Sequence, residues 1–358
     1  MVDIPKKHKA VIYDEPGKVS TKVVEIDTPE PGPGEVLVNL THSGVCHSDL
    51  GVMTNRWAGL PYPTQPGQVG GHEGIGKVVK MGPGTETSTV KVGDRVGIKW
   101  IAAICDSCPA CLSGHDGVCF NQKVSGYYTP GTFQQYVLGP ASYVTPIPDS
   151  LPSDAAAPML CAGVTVYSAL RKSGAKAGDW VAILGAGGGL GHLACQIASK
   201  GLGIRVIGID AGNKKDLAIE CGAEVFIDHT QGNAEEEVKQ ATGGLGAQAV
   251  LVLTAANAAY ASSMTMLRFG GTMVCVGLPE GELKAIATAY PQLMVAKAQT
   301  IRGVAVGDRR EAIETLEFAQ RGVVKTHFKT ARMEDLTSIF EQMDRGELQG
   351  RIVLDMTA

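Results

Sequence analysis

The chain has 358 residues, room for two domains, and carries 32 basic against 36 acidic side chains for a formal net charge of −4. That balance offers no basic field to nucleic acid or to an anionic membrane surface. Hydrophobic residues make up 44% and glycine fills 46 positions, while no stretch approaches the roughly 18 uncharged apolar residues of a membrane span, so a turn-rich globular α/β protein is expected.

The N-terminal run MVDIPKKHKAVIYDEPG has no apolar core of the signal-peptide kind. Nine cysteines, an odd and clustered set, suit metal binding in a reducing compartment better than disulfides, and a cytoplasmic location is expected. From Lys9 to about Leu151, short β-rich segments alternate with Gly/Pro turns. Glu35–Leu40, Gly76–Lys80 and Asp94–Lys99 are expected strands, and Pro31–Gly34 and Val92–Asp94 are expected turns. They predict a small, mostly antiparallel β domain.

Within that domain, Gly70-Gly71-His72-Glu73-Gly74-Ile75-Gly76 sets an imidazole and a carboxylate side by side in glycine-rich backbone. Cys46 lies upstream in Gly44-Val45-Cys46-His47-Ser48-Asp49, and Cys161 downstream in Met159-Leu160-Cys161-Ala162-Gly163. Two thiolates and one imidazole leave the fourth position of a tetrahedral zinc free for water or substrate, as in catalytic sites. Cys105, Cys108, Cys111 and Cys119 instead place four thiolates within 15 residues, enough to close a structural zinc site with no open position. An iron–sulfur cluster is the competing occupant of such a triplet, but its usual fourth Cys is followed by Pro, and here Phe120 follows Cys119.

From about Gly163 the pattern changes. Val181–Leu184, Arg205–Asp210, Val225–Asp228, Ala249–Leu253, Thr272–Val276 and Thr300–Val304 are short apolar runs, with helix-length segments such as Leu190–Lys200 and Ala258–Phe269 between them. Six parallel strands alternating with helices predict a doubly wound dinucleotide-binding (Rossmann) domain. Gly185-Ala186-Gly187-Gly188-Gly189-Leu190-Gly191 follows the first strand and opens a helix, so its backbone can approach a pyrophosphate. With Gly188 and Gly191 as the second and third glycines of the fingerprint, Ala186 stands at the first. Asp210, about twenty residues on, is placed to grip the adenosine ribose hydroxyls. A 2′-phosphate beside it would meet repulsion of about 4 kcal/mol at an effective dielectric near 20, which favours NAD over NADP. Helical segments Arg310–Gln320 and Met333–Arg345 precede a last strand, Gly350–Asp355, expected to return to the first domain.

Taken together, Gly71-His72-Glu73-Gly74, Gly44–Asp49, the four-Cys lobe and Leu160-Cys161-Ala162-Gly163 resemble the zinc-dependent medium-chain alcohol dehydrogenases. The wording of Gly97–Trp100, Gly131–Tyr136 and Cys161–Tyr167 is similar to the yeast and fungal branch. The resemblance implies a mostly β GroES-like catalytic domain over 1–162 and 304–358 and a Rossmann domain over 163–303. It also implies two zincs per subunit, NAD, a homotetramer, and interconversion of primary or secondary alcohols with aldehydes or ketones by hydride transfer. Carried over by position, Cys46, His72 and Cys161 would ligate the catalytic zinc, Glu73 would be a transient ligand, and Asp49 would orient His72. His47 would touch the cofactor pyrophosphate and Ser48 would accept the substrate proton. Gly188, Gly189, Leu190, Asp210 and Lys214 (or Lys215) would line the cofactor. Val276, Leu278 and Val306 would flank the nicotinamide, Thr165 would lie beside it, and Arg351 would pair with the pyrophosphate.

Trp57 and Trp100 resemble the bulky pocket walls that favour small alcohols. Where relatives usually carry a relay histidine this chain has Gly51, so the proton must leave through water or another group. His8, His42, His115, His192, His229 and His327 lack any ligand context and read as surface or structural. The competing functions are a polyol or aromatic-alcohol dehydrogenase or ketone reductase of the same superfamily, and a non-catalytic NAD-binding protein. The zinc ligands together with Ser48 argue against the last.

Overall fold

The computed structural model describes residues 3–358. They form two compact units, the first running to Cys161 and resuming over Asp308–Gln320 and Thr326–Ala358, the second comprising Ala162–Gly307 with Arg321–Lys325. The first unit opens with an antiparallel hairpin of β1 (Lys7–Tyr13) and β2 (Thr21–Asp27). β3 (Glu35–Val45), β4 (Gly74–Met81) and β5 (Arg95–Ile98) follow as an antiparallel run. β6 (Ile101–Ala103) and β7 (Lys123–Val124) pair at the base of the cysteine lobe. β8 (Tyr136–Pro140) pairs with β3, and β9 (Thr145–Pro146) with β5. Val36, Leu37, Val38 and Leu40 are fully buried on β3 with Val78 on β4 and Val96 on β5, so this stretch of β3 lies within the core of the unit.

In the second unit, β10 (Trp180–Leu184), β11 (Arg205–Asp210), β12 (Val225–Asp228), β13 (Ala247–Val252), β14 (Leu267–Cys275) and β15 (Thr300–Gly303) form one sheet. All its pairs are parallel, in the order β12-β11-β10-β13-β14-β15. β13 is buried at every residue, as a parallel strand covered on both faces must be. The expected helix over Ala258–Phe269 is shorter than its pattern. It stops at Ser263, a 3₁₀ turn spans Met264–Met266, and Leu267 already pairs with Ala247 in β14. Burial of Leu267 in the strand wins over local helical periodicity.

The chain then completes the first sheet with β16 (Phe328–Arg332) and β17 (Arg351–Asp355), giving the order β16-β17-β3-β4-β5-β9. β17 runs antiparallel to β3 from Ile352↔Val45 to Asp355↔His42. The last strand of the chain thus flanks the strand whose end delivers Cys46. No helix among the described residues is long and apolar enough to cross a membrane.

Candidate active site and metal centres

Three pieces of backbone converge in the first unit. Cys46 ends β3 and caps α1 (His47–Met53), and its own N–H donates to Asp49 Oδ2 at 2.9 Å. His72 enters β4 through Gly71, whose φ of 91° lies in the left-handed region and whose Cβ, if present, would sit 2.7 Å from Phe133. Cys161 ends the 3₁₀ helix Ala157–Leu160; Leu160 lies on β5, where a Cβ at Gly97 would stand only 2.6 Å from it.

The result is a buried set of Cys46 Sγ, His72 Nε2, Cys161 Sγ and a Glu73 oxygen, with one donor atom from each within 4.8 Å of all the others. His72 Nε2 lies 3.2 Å from Cys161 Sγ, and its Nδ1 is 2.8 Å from Asp49 Oδ1, which fixes the ring. Ser48 Oγ is 3.6 Å from Cys46 Sγ. Glu73 is paired with Arg351, yet Glu73 Oε2 and Arg351 Nε are buried without hydrogen-bond partners among the described residues. A carboxylate oxygen orphaned next to two thiols and an imidazole fits a soft dication of the zinc type. The Cys161 hydrogen bond, with the His72 hydrogen bond and the Arg351 charge, holds the Cys46 thiol well below its usual range against burial, while Cys161 is held well above. Burial raises Glu73 to about 7, Arg351 pulling the other way. Arg351, expected at a pyrophosphate, is 5% exposed and bonded to Glu73.

The four lobe thiols are also gathered. Cys108 Sγ is 3.6 Å from Cys111 Sγ and 3.9 Å from Cys119 Sγ, and Cys119 Sγ is 3.6 Å from Cys105 Sγ. Zn–S bonds near 2.3 Å set tetrahedral edges of about 3.8 Å, so the set fits a closed zinc site. Backbone N–H groups of Cys105 and Asn121 point at Cys119 Sγ at 3.4 and 3.3 Å, the kind of donor that supports a bound thiolate.

Sequence inspection missed a charged latch on this lobe. Arg309 donates through Nε to Asp116 Oδ2 at 3.2 Å and through Nη2 to Asp106, and its guanidinium lies 5.0 Å from the Tyr143 ring centre. Lys99 Nζ sits 3.6 Å from the centre of the same ring and donates to the Tyr143 carbonyl at 3.1 Å. Burial pulls the Lys99 ammonium down to about 7, with Asp116 holding it up and Arg309 pushing it down. A folded-state value below the ordinary 10.5 means the unfolded chain binds more protons between the two values. The Lys99 contribution to stability is therefore smallest and flat below about pH 7 and grows as pH rises toward about 10. In denaturant melts, the unfolding free energy of the parent minus that of Lys99→Met is expected to rise by about 2–4 kcal/mol over that window. A flat difference would show that Lys99 stays charged.

In the second unit, Asp210 ends β11 and is 8% exposed. Its Oδ2 accepts the Gly187 N–H at 2.9 Å and its Oδ1 the Ala211 N–H at 2.8 Å. The glycine turn differs from the expected fingerprint. Gly185, not the position of Ala186, takes the left-handed conformation at φ 87°, and Gly191 packs so closely on the turn that a Cβ would stand 2.6 Å from the Ala186 backbone. Lys214 is the lysine against the loop, since a Cβ on Gly187 would lie 2.6 Å from Lys214 Cβ, and Lys215 is exposed. Gly188, Gly189 and Leu190 are half-buried ahead of helix Gly191–Gln196. Val304 N–H donates to the Cys275 carbonyl at 3.0 Å, tying together the strand ends that lead to Val276, the exposed Leu278, and Val306. Val306 holds a φ of 47°, an unfavourable state for a β-branched residue. Thr165 is buried in helix Ala162–Lys172. These positions other than Thr165 lie past the carboxyl ends of β10, β11, β14 and β15, where doubly wound sheets bind ligands. His8 and His192 are buried and hydrogen-bonded inside their units.

A β unit holding two metal-type donor sets and a doubly wound parallel unit are the architecture of a zinc-type medium-chain dehydrogenase. The family descriptions "Alcohol dehydrogenase GroES-like domain" and "Zinc-binding dehydrogenase" match residues 32–149 and 189–321. Alcohol dehydrogenase 2 of Emericella nidulans is 64% identical over 363 residues, covering 99% of each chain. The alcohol dehydrogenase of Schizosaccharomyces pombe is 41% identical over 357 residues, again 99% of each. Among solved structures, acetophenone reductase from Geotrichum candidum in complex with NAD superposes with a TM-score of 0.84 at 27% identity, over 99% of this chain and 98% of that one. The chain belongs to the zinc-type medium-chain alcohol dehydrogenases, in their fungal branch, and is an alcohol dehydrogenase by family.

Proposed function

We propose that this chain interconverts primary or secondary alcohols with aldehydes or ketones using NAD, with the discontinuous β unit as the catalytic domain and the doubly wound unit as the NAD domain. The observation that carries this is the buried Cys46–His72–Glu73–Cys161 donor set with its orphaned carboxylate oxygen. Zinc held by Cys46, His72 and Cys161 supplies Lewis acidity toward the alcohol or carbonyl oxygen, a second zinc in the four-Cys lobe stiffens the fold, and NAD supplies the hydride acceptor. Asp49 keeps the His72 proton on Nδ1, so that Nε2 faces the donor set. Ser48, beside Cys46, receives the hydroxyl proton. Arg351 balances Glu73, and its nitrogens not engaged there, with His47, are offered to the pyrophosphate. Gly188, Gly189, Leu190 and Lys214 line the cofactor, Asp210 takes its ribose hydroxyls, and Thr165, Val276, Leu278 and Val306 surround the nicotinamide.

A cytoplasmic homotetramer is part of the proposal. Association between copies is supported by the open edge at β15 and by exposed Leu283, Tyr290 and Val295 in the segment that precedes it. The test is a panel of alcohols assayed by NADH absorbance. NAD is expected to exceed NADP by at least about a hundredfold in kcat/KM, and Asp210→Gly to narrow that ratio by weakening NAD and relieving NADP. No NAD reduction with any alcohol would sink the proposed activity, and equal use of both cofactors would sink the role of Asp210.

A further inference from the structure

Gly51 lies inside α1, and helix interiors disfavour glycine. It is buried, and the space a side chain would occupy is already taken. A Cβ on Gly51 would stand 2.8 Å from both Cε2 and Nε1 of Trp57 and 3.2 Å from Cζ2. The indole pays for that seat with its own hydrogen bond, because Trp57 Nε1 is buried with no partner among the described residues. The loop carrying Trp57 is pinned on either side. Thr64 N–H donates to Asn55 Oδ1 at 2.8 Å, and Thr64 Oγ1 donates to the Val52 carbonyl at 2.7 Å. From this seat Trp57 meets Trp100 edge to face at 6.1 Å between centroids, and Trp100 meets His72 in the same manner at 4.8 Å. Two locally unfavourable features at one contact, a helical glycine and a silent indole N–H, are what a positioned functional wall leaves in a sequence.

We propose that Gly51 is a specificity-positioning residue: its missing side chain seats the Trp57 indole, which with Trp100 sets the room beside His72 for the carbon chain of an alcohol. This rests on the alcohol dehydrogenase function proposed above. A methyl group at position 51 drives the indole off α1 and toward Trp100, so longer chains lose more than ethanol does.

The test compares the parent, Gly51→Ala, Trp57→Leu and the double variant in kcat/KM for ethanol and 1-hexanol. Gly51→Ala should lower the hexanol-to-ethanol ratio by at least about tenfold, carried by KM for hexanol, and should shift tryptophan emission. In the Trp57→Leu background the same change should move the ratio by less than about twofold, because the group it displaces is gone. An unchanged ratio in the Trp57 background, an equal shift in both backgrounds, or a higher Tm for Gly51→Ala without an emission shift would each overturn the proposal. If Gly51→Ala does not fold while Trp57→Leu with Gly51→Ala does, the steric seat stands. A parent inactive on every alcohol, with the emission shift intact, would overturn the enzymatic function and leave the seat in place.

Discussion

Replacing Cys46 with alanine is expected to abolish alcohol oxidation and to remove one zinc per subunit while the chain stays folded. Alanine retains the half of the α1 capping box made by the residue 46 backbone, whose N–H bonds Asp49 Oδ2, and gives up only the weak thiol half that faces the Asp49 N–H. The substitution removes only Sγ, which is the atom bringing Cys46 within 4.8 Å of the His72, Glu73 and Cys161 donors. What remains is one imidazole, one thiol and a carboxylate already engaged by Arg351. That set is too poor to hold zinc against solvent, and three protein ligands are what catalytic zinc sites use. Turnover should fall by at least about a thousandfold, the loss expected when polarisation of the reacting oxygen disappears. The packing cost of losing one small buried side chain should stay near about 1 kcal/mol, and the lost zinc adds to it, so Tm should fall while the circular dichroism spectrum stays that of the folded parent. Elemental analysis and steady-state rates check this together. A variant that keeps half or more of the parent rate would show that Cys46 is not a ligand.

Replacing Cys108 with alanine should do the reverse, costing stability before it costs chemistry. The lobe carries little apolar packing of its own, since Leu112, Val118 and Phe120 are 76%, 49% and 73% exposed. What gathers it is the thiol quartet, with the Arg309 latch to Asp106 and Asp116. Ion pairs at such part-exposed positions contribute little, of order 0–1 kcal/mol each, whereas zinc binding to four thiolates is worth on the order of 10 kcal/mol or more and is itself folding free energy. Cys108 stands between Cys111 and Cys119, at 3.6 and 3.9 Å, so its loss opens the set. The expected results are a Tm lower by roughly 5–10 °C, if local loss of the lobe takes about 2–3 kcal/mol from the cooperative unit, and early proteolysis within residues 105–120. The catalytic zinc should remain. An unchanged Tm in a variant shown to have lost one zinc would mean that the quartet does not stabilise the fold.

Most of the fold and of the two donor clusters was legible because most of the signals are local. Four cysteines within 15 residues, a His–Glu pair among glycines and six apolar runs between helices are patterns that a short window carries. Contacts made by distant residues were not. Glu73 and Arg351 are 278 positions apart, and Arg309 reaches Asp106 across 203, so each charge offered a role of its own in sequence while its partner stayed hidden. Gly51 carried the least signal of all. A missing side chain reads as a lost proton-relay group until the indole of Trp57 is seen occupying its place. The helical pattern running into Leu267–Phe269 failed for another reason: strand pairing with β13 decided the outcome, and no local window contains β13.

The position of β17 has a consequence for synthesis. The doubly wound unit is nearly continuous in sequence and can close once Lys325 has left the ribosome, whereas β3 pairs on one flank with residues 352–355 of a 358-residue chain. At about 5–20 residues per second, translation leaves the N-terminal strands waiting on the order of tens of seconds for that neighbour. Arg351, the counter-charge of Glu73, arrives with the same strand. In order of synthesis, the residues of the doubly wound unit precede the strand that sets Arg351 beside Glu73, so this charge pair is among the last contacts of the first unit to become available.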